Sequence, residues 1–175
     1  FLAVFLYSRL TTLGDSSAYL ASAHSKFNWA INSTALMDYS ASNLSVFLGA
    51  FGTHIFFSML AFYGIYSALE KANLSERYLY GVLGLLSLPS IGIWTSIISK
   101  ESVMAFACGI FIRFIFQVQK GEKVNKKFIL GISFYLITIF KPQYLAVFLP
   151  LLFYIKFKTT LSRTPSAIIF VLLSY

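Results

Sequence analysis

Asp15, Lys100, Glu101 and Lys141 are charged side chains set beside long apolar runs. A carboxylate held next to a hydroxyl can take its proton. An ammonium group can hold the oxygens of a phosphate. Asp15 is therefore the candidate catalytic residue, and Lys100, Glu101, Lys141, Arg9 and Trp94 are the candidate substrate-binding ones. The pair Lys100-Glu101 lies in the stretch IGIWTSIISKES, and Lys141 lies in FKPQY.

The elements that must position these groups are read from composition. Hydrophobic residues make up 58% of the 175, charged residues only 11%, and 19 Phe and 11 Tyr lift the aromatic share to 18%. Mean hydropathy is +0.75. A soluble fold of this size has too little polar surface to cover so much apolar side chain. The expected class is an all-α polytopic membrane protein, with residues 1–175 forming a single transmembrane helical bundle. The chain opens on Phe rather than Met and ends inside AIIFVLLSY, so the expectation is a fragment with truncated first and last spans. Cys108 is the one cysteine, which excludes a disulfide framework.

About 20 apolar residues cross a bilayer core. Val46 to Leu69, Tyr78 to Ile97 and Val103 to Val118 meet that need, and Phe128 to Phe140 and Tyr144 to Ile155 are shorter runs. With the terminal runs, about seven crossings are expected. One continuous span from Phe128 to Ile155 would be about 42 Å long with Lys141-Pro142 near its middle, so a helical hairpin with its tip at KPQY is expected instead. Alternating loops then place ten of the 14 Lys and Arg on one side, from Lys71 to Arg163, and Arg9, Lys26, Lys100 and Lys141 on the other. The positive-inside rule makes the first side cytoplasmic. The net charge of +8 is thereby a topology signal, and no nucleic-acid partner is called for.

Residues 8–44 form the long extracytoplasmic loop. Tyr19, Ala23, Phe27 and Ile31 recur at a spacing of four, as in an amphipathic helix lying in the membrane interface with Trp29 as anchor. Asp15 stands where the N-cap of that helix belongs, and one residue can be both cap and base. Lys100-Glu101 also has a structural account, with Ser99 as cap and Glu101 in the first helical turn. Lys100 fits that account less well, because a cation opposes the positive end of the helix dipole unless an anion such as phosphate sits there. In the Val46–Leu69 run, Gly49, Gly52 and Ser58 are expected at a close helix contact, and His54 is expected to be an interhelical hydrogen bonder.

Several local patterns together resemble the seven-helix module of GT-C glycosyltransferases, especially bacterial polysaccharide-assembly members. They are a truncated span running into an outer loop with an early aspartate, the stretch LPSIGIWTSIISKES, a basic cytoplasmic loop, and the basic-Pro step FKPQY. The resemblance implies a donor sugar on a polyprenyl phosphate or diphosphate, a glycan or lipid acceptor, and Asp15 as base. It also implies residence in a bacterial cytoplasmic membrane, in cell-envelope polysaccharide assembly. Many members carry a paired acidic motif where LGDSSAY has one acid. No cofactor is assigned, and a divalent metal stays open. The expected function is transfer of a sugar from the lipid-linked donor to an acceptor hydroxyl on the outer face. The alternatives are a transporter or flippase for lipid-linked glycans and a non-catalytic membrane subunit. No P-loop or dinucleotide glycine pattern is present, which argues against a nucleotide-powered pump.

Overall fold

The computed structural model describes residues 16–21, 32–122 and 127–158. In chain order the helices are α1 (Ser16–Ala21), α2 (Ser33–Ala72), α3 (Glu76–Leu86), α4 (Pro89–Thr95), α5 (Lys100–Gln119), α6 (Lys127–Phe140) and α7 (Leu145–Lys158), with a 3-10 turn at Pro142–Tyr144 between the last two. No strand occurs among the described residues.

Local chemistry sets the ends of α2. The Asn32 side chain accepts from the Thr34 N–H at 2.9 Å, and Asn73 closes the helix in the left-handed region (φ 49°) that Asn tolerates. Residues 33–44, expected as loop, are therefore helical. Within α2, Gly49 adopts φ 68° and ψ 170°, a conformation essentially reserved for glycine. The helix breaks there. A straight helix would hold Thr34 about 30 Å from His54. Instead, both reach the same short turn before α5: Thr34 bonds Lys100 and His54 bonds Ile98.

Those bonds and the ones at the opposite end fix the topology. Lys71, at the end of α2, pairs with Glu122, just past α5, and Glu70 pairs with Arg113. Helices α2 and α5 therefore run parallel, and residues 73–99 return the chain from one end to the other. That return was expected as one span, Tyr78 to Ile97. It is instead two pieces of 11 and 7 residues, because Pro89 keeps Leu88 extended and ends α3 before it.

Helix α6 runs back along α5, from Arg113 toward Glu101. There the chain turns, and α6 and the segment after it meet at 119° across Lys141. This is the hairpin expected at KPQY. Each arm is a 14-residue helix of about 21 Å, shorter than a bilayer core. Two helices, α2 and α5, are long and apolar enough to cross a membrane, or three spans if the bent pair counts as one. Five of the seven expected crossings fall on described residues, and that count is corrected to two or three. The apolar runs at the two chain ends lie outside the described residues.

The core lies between α2, α5 and α6, where Met37, Ala41, Phe57, Ile98, Ala107, Phe111 and Ile137 are all buried. In lipid such an interface is held by close packing more than by burial from water. Its tightest point is Gly64 against Gly109. A β-carbon on Gly109 would collide with the Gly64 carbonyl, and one on Gly64 would lie 2.7 Å from the Ala105 oxygen and closer still to the Phe106 backbone. The close contact expected at Gly49 and Gly52 therefore falls further along α2. Gly49 has no neighbour there and serves as the break.

Candidate functional site

Three elements build one end of the bundle: the start of α5, the hairpin tip between α6 and α7, and the N-terminal end of α2. Ser99 starts α5 as its cap, accepting from the Ser102 N–H at 3.1 Å, as its sequence position predicts. Glu101 follows in the first turn, where a carboxylate suits the helix dipole.

The hairpin tip delivers Lys141 to Glu101. Its Nζ stands 3.7 Å from Glu101 Oε1, with both side chains partly exposed. Charge-assisted N–H···O bonds run about 2.7–2.9 Å, so this is a loose ion pair whose donors are open to another acceptor. Around it lies an open cleft of about 220 Å³, lined by Glu101, Met104, Ala105, Cys108, Lys141 and Tyr144. Its lining joins the partly exposed charges of Glu101 and Lys141 and the exposed phenol of Tyr144 to the less exposed Met104, Ala105 and Cys108.

Lys100 is turned the other way. Successive residues on a helix point about 100° apart, so Lys100 and Glu101 serve different faces. Lys100 Nζ donates to Thr34 Oγ1 at 2.8 Å, tying α5 to the N-terminal end of α2, and it does not line the cleft. The structure thus brings Glu101 and Lys141 together and leaves Lys100 on the neighbouring flank. Trp94 lies on α4 with its side chain outside the described set. Arg9 and Asp15 lie outside the described residues.

His54 takes the bonding role expected of it, with a backbone partner: Ile98 N–H donates to its Nδ1 at 3.2 Å. Among the described residues no three of His, Cys, Asp and Glu gather as a metal site would require. Cys108, Tyr144 and Thr34 were not among the candidate site residues read from the sequence. Tyr144 had a signal, since it belongs to the KPQY turn. Cys108 and Thr34 had none, because only helix packing brings them to this end.

The opposite end carries a different electrostatic pattern. Lys71 Nζ lies 2.7 Å from Glu122 Oε2, Arg113 Nη1 lies 2.9 Å from Glu70 Oε2, and Lys120 Nζ donates to the Lys71 carbonyl at 2.8 Å. The hydrogen bond from Lys71 holds the Glu122 carboxyl below its usual range, against the opposing effect of desolvation and with the charges of Lys71, Lys120 and Arg113 adding to it. Glu70 and Glu122 are thus partners of the basic residues beside them, with their carboxylates still partly exposed.

The fold defines a class: the described residues are helical, and two of their helices are suited to crossing a membrane. Comparison with family models, with curated proteins and with solved structures finds no match.

Proposed function

We propose that this chain is the membrane-embedded part of a glycosyltransferase that takes a sugar from a polyprenyl-phosphate-type donor and passes it to an acceptor hydroxyl at the outer face. The observation that carries the reading is the cleft at Lys141 and Glu101, lined by an ion pair together with apolar side chains. Such a site suits an amphiphile with an anionic head and a hydrocarbon tail. Lys141 holds the phosphate and offsets the charge that develops as it departs. Glu101 accepts hydrogen bonds from sugar hydroxyls, and Tyr144 borders both. Lys100 approaches the same end from the flank and contributes to its positive field. Asp15 deprotonates the acceptor, a role taken from the resemblance to GT-C enzymes. Residues 8–44 are extracytoplasmic in this reading, and the membrane is the bacterial cytoplasmic one.

The test is Asp15→Asn. Asparagine caps a helix about as well as aspartate. Insertion and folding are therefore retained, while transfer falls roughly 10²–10⁴-fold, the scale of a lost general base. Asp38→Asn costs much less. Full activity in Asp15→Asn removes the base from the mechanism.

One observation favours a second reading, a transporter or flippase for lipid-linked glycans. Two apolar stretches are interrupted, α3–α4 at Leu88 and α6–α7 at Lys141, and broken helices often line transport sites. Vesicles reconstituted with the purified chain separate the two. Transfer makes a new glycosidic bond, whereas transport moves the lipid across with its structure unchanged.

A further inference from the structure

The turn that presents the charged residues is held from one side by a single imidazole. Ile97, Ile98 and Ser99 are buried to 2%, 1% and 5% exposure, so the Ile98 N–H has little water to turn to. An amide left unpaired in such a place carries the cost of its lost hydration. His54 Nδ1 meets it at 3.2 Å from just beyond the Gly49 break. Everything downstream depends on this turn. Ser99 caps α5, Lys100 reaches Thr34, and Glu101 meets Lys141.

A ring nitrogen that accepts a hydrogen bond is the unprotonated one, which assigns the proton of the neutral imidazole to Nε2. We infer that His54, in its neutral Nε2–H form, is a positioning residue that fixes the Ile97–Ser99 turn and so sets Lys100 against Thr34 and Glu101 against Lys141. Protonation of Nδ1 replaces its lone pair with a second donor aimed at the Ile98 N–H, and the turn loses its anchor. The ionisable residues on the elements packed against this part of α2 are Lys100 and Glu101 on α5 and Tyr19 on α1, with Asp38 and Tyr39 on α2 itself. Helix α4 carries none.

As a statement about the cleft the inference rests on the transferase reading. As a statement about the turn it does not, and one amide can be followed with no donor present. The experiment uses the full chain in detergent micelles with His24→Gln, which leaves one of the 2 histidines. Nitrogen NMR of the labelled imidazole at neutral pH is expected to show an unprotonated Nδ1 and a protonated Nε2. Hydrogen exchange at the Ile98 amide is expected to rise roughly 2- to 10-fold in His54→Leu. It is expected to stay near the parent rate in His54→Asn, whose Oδ1 can take the place of Nδ1. Acidification that protonates the ring should lower the protection of the same amide, its rate taken relative to the intrinsic exchange rate at each pH, in the parent and not in His54→Asn. A protonated Nδ1 at neutral pH overturns the inference, and so does an Ile98 exchange rate unmoved by His54→Leu. The imidazole spectrum decides the matter on the unsubstituted site if His54→Leu fails to fold.

Discussion

The Lys141 ammonium lies 3.7 Å from Glu101 Oε1, joining the tip of the α6–α7 hairpin to the first turn of α5. The separation brings the charges together without a close hydrogen bond, and the pair borders an open cleft. A ligand with its own negative charge can therefore compete for Lys141. Polyprenyl phosphate in mixed micelles is expected to bind the purified chain, and Lys141→Ala to weaken that binding roughly tenfold or more, the loss of one hydrogen bond to a charged group. Lys100→Ala is expected to cost less, because its ammonium is engaged with Thr34 outside the cleft. Equal effects of Lys141→Ala and Lys127→Ala, the latter at the opposite end, would reduce the contribution to general charge.

Orientation is checked by labelling. In a Cys108→Ser background, a cysteine at Gln143 on the hairpin tip should react with an impermeant thiol reagent from outside the cell. A cysteine at Gly121, beside the Lys71–Glu122 pair, should react only after the membrane is opened. The reverse pattern would turn the molecule over and place the cleft on the cytoplasmic side.

Packing at Gly109 makes a sharp stability prediction. A β-carbon there meets the Gly64 backbone, and neither backbone can step aside alone. Gly109→Ala is expected to destabilise the bundle by about 1–3 kcal/mol, the usual cost of overpacking. Gly84→Ala, on α3 with open space around it, should be neutral or stabilising by up to ~1 kcal/mol, since alanine favours helix. Denaturant titration of both variants in the same detergent compares them directly.

Acid should loosen the opposite end. The Glu122 carboxyl is held below its ordinary value of 4.5, first by the hydrogen bond from Lys71. A depressed carboxyl contributes stability above its unfolded-state value and loses it as pH falls through the folded-state value. The parent chain is thus expected to melt higher than Glu122→Gln at pH 7, with the gap closing on acidification below about 4.5. The pair is exposed, so salt should narrow the gap as well. A gap independent of pH would assign the effect to packing of the side chain.

The sequence by itself determined the class and much of the order. Hydropathy marked α2 and α5, because a bilayer core demands a long apolar run whatever its neighbours are. The Ser99 cap and the Lys141-Pro142 hairpin were also readable, since caps and proline turns are decided within a few residues. The grouping of Lys71, Arg113 and Lys120 at one end and Lys100 and Lys141 at the other agrees with the loop alternation read from the chain. Tertiary structure decided what depends on distant partners. Gly49 and Gly64 are the same residue type on the same helix, and only the approach of Gly109 makes one a contact while the other is a break. Lys100 and Glu101 are neighbours in sequence, but the 100° helical step sends one to Thr34 and the other to Lys141. Adjacency along the chain gave no sign of that division, because which face of α5 meets α2 and which meets the hairpin is set by packing.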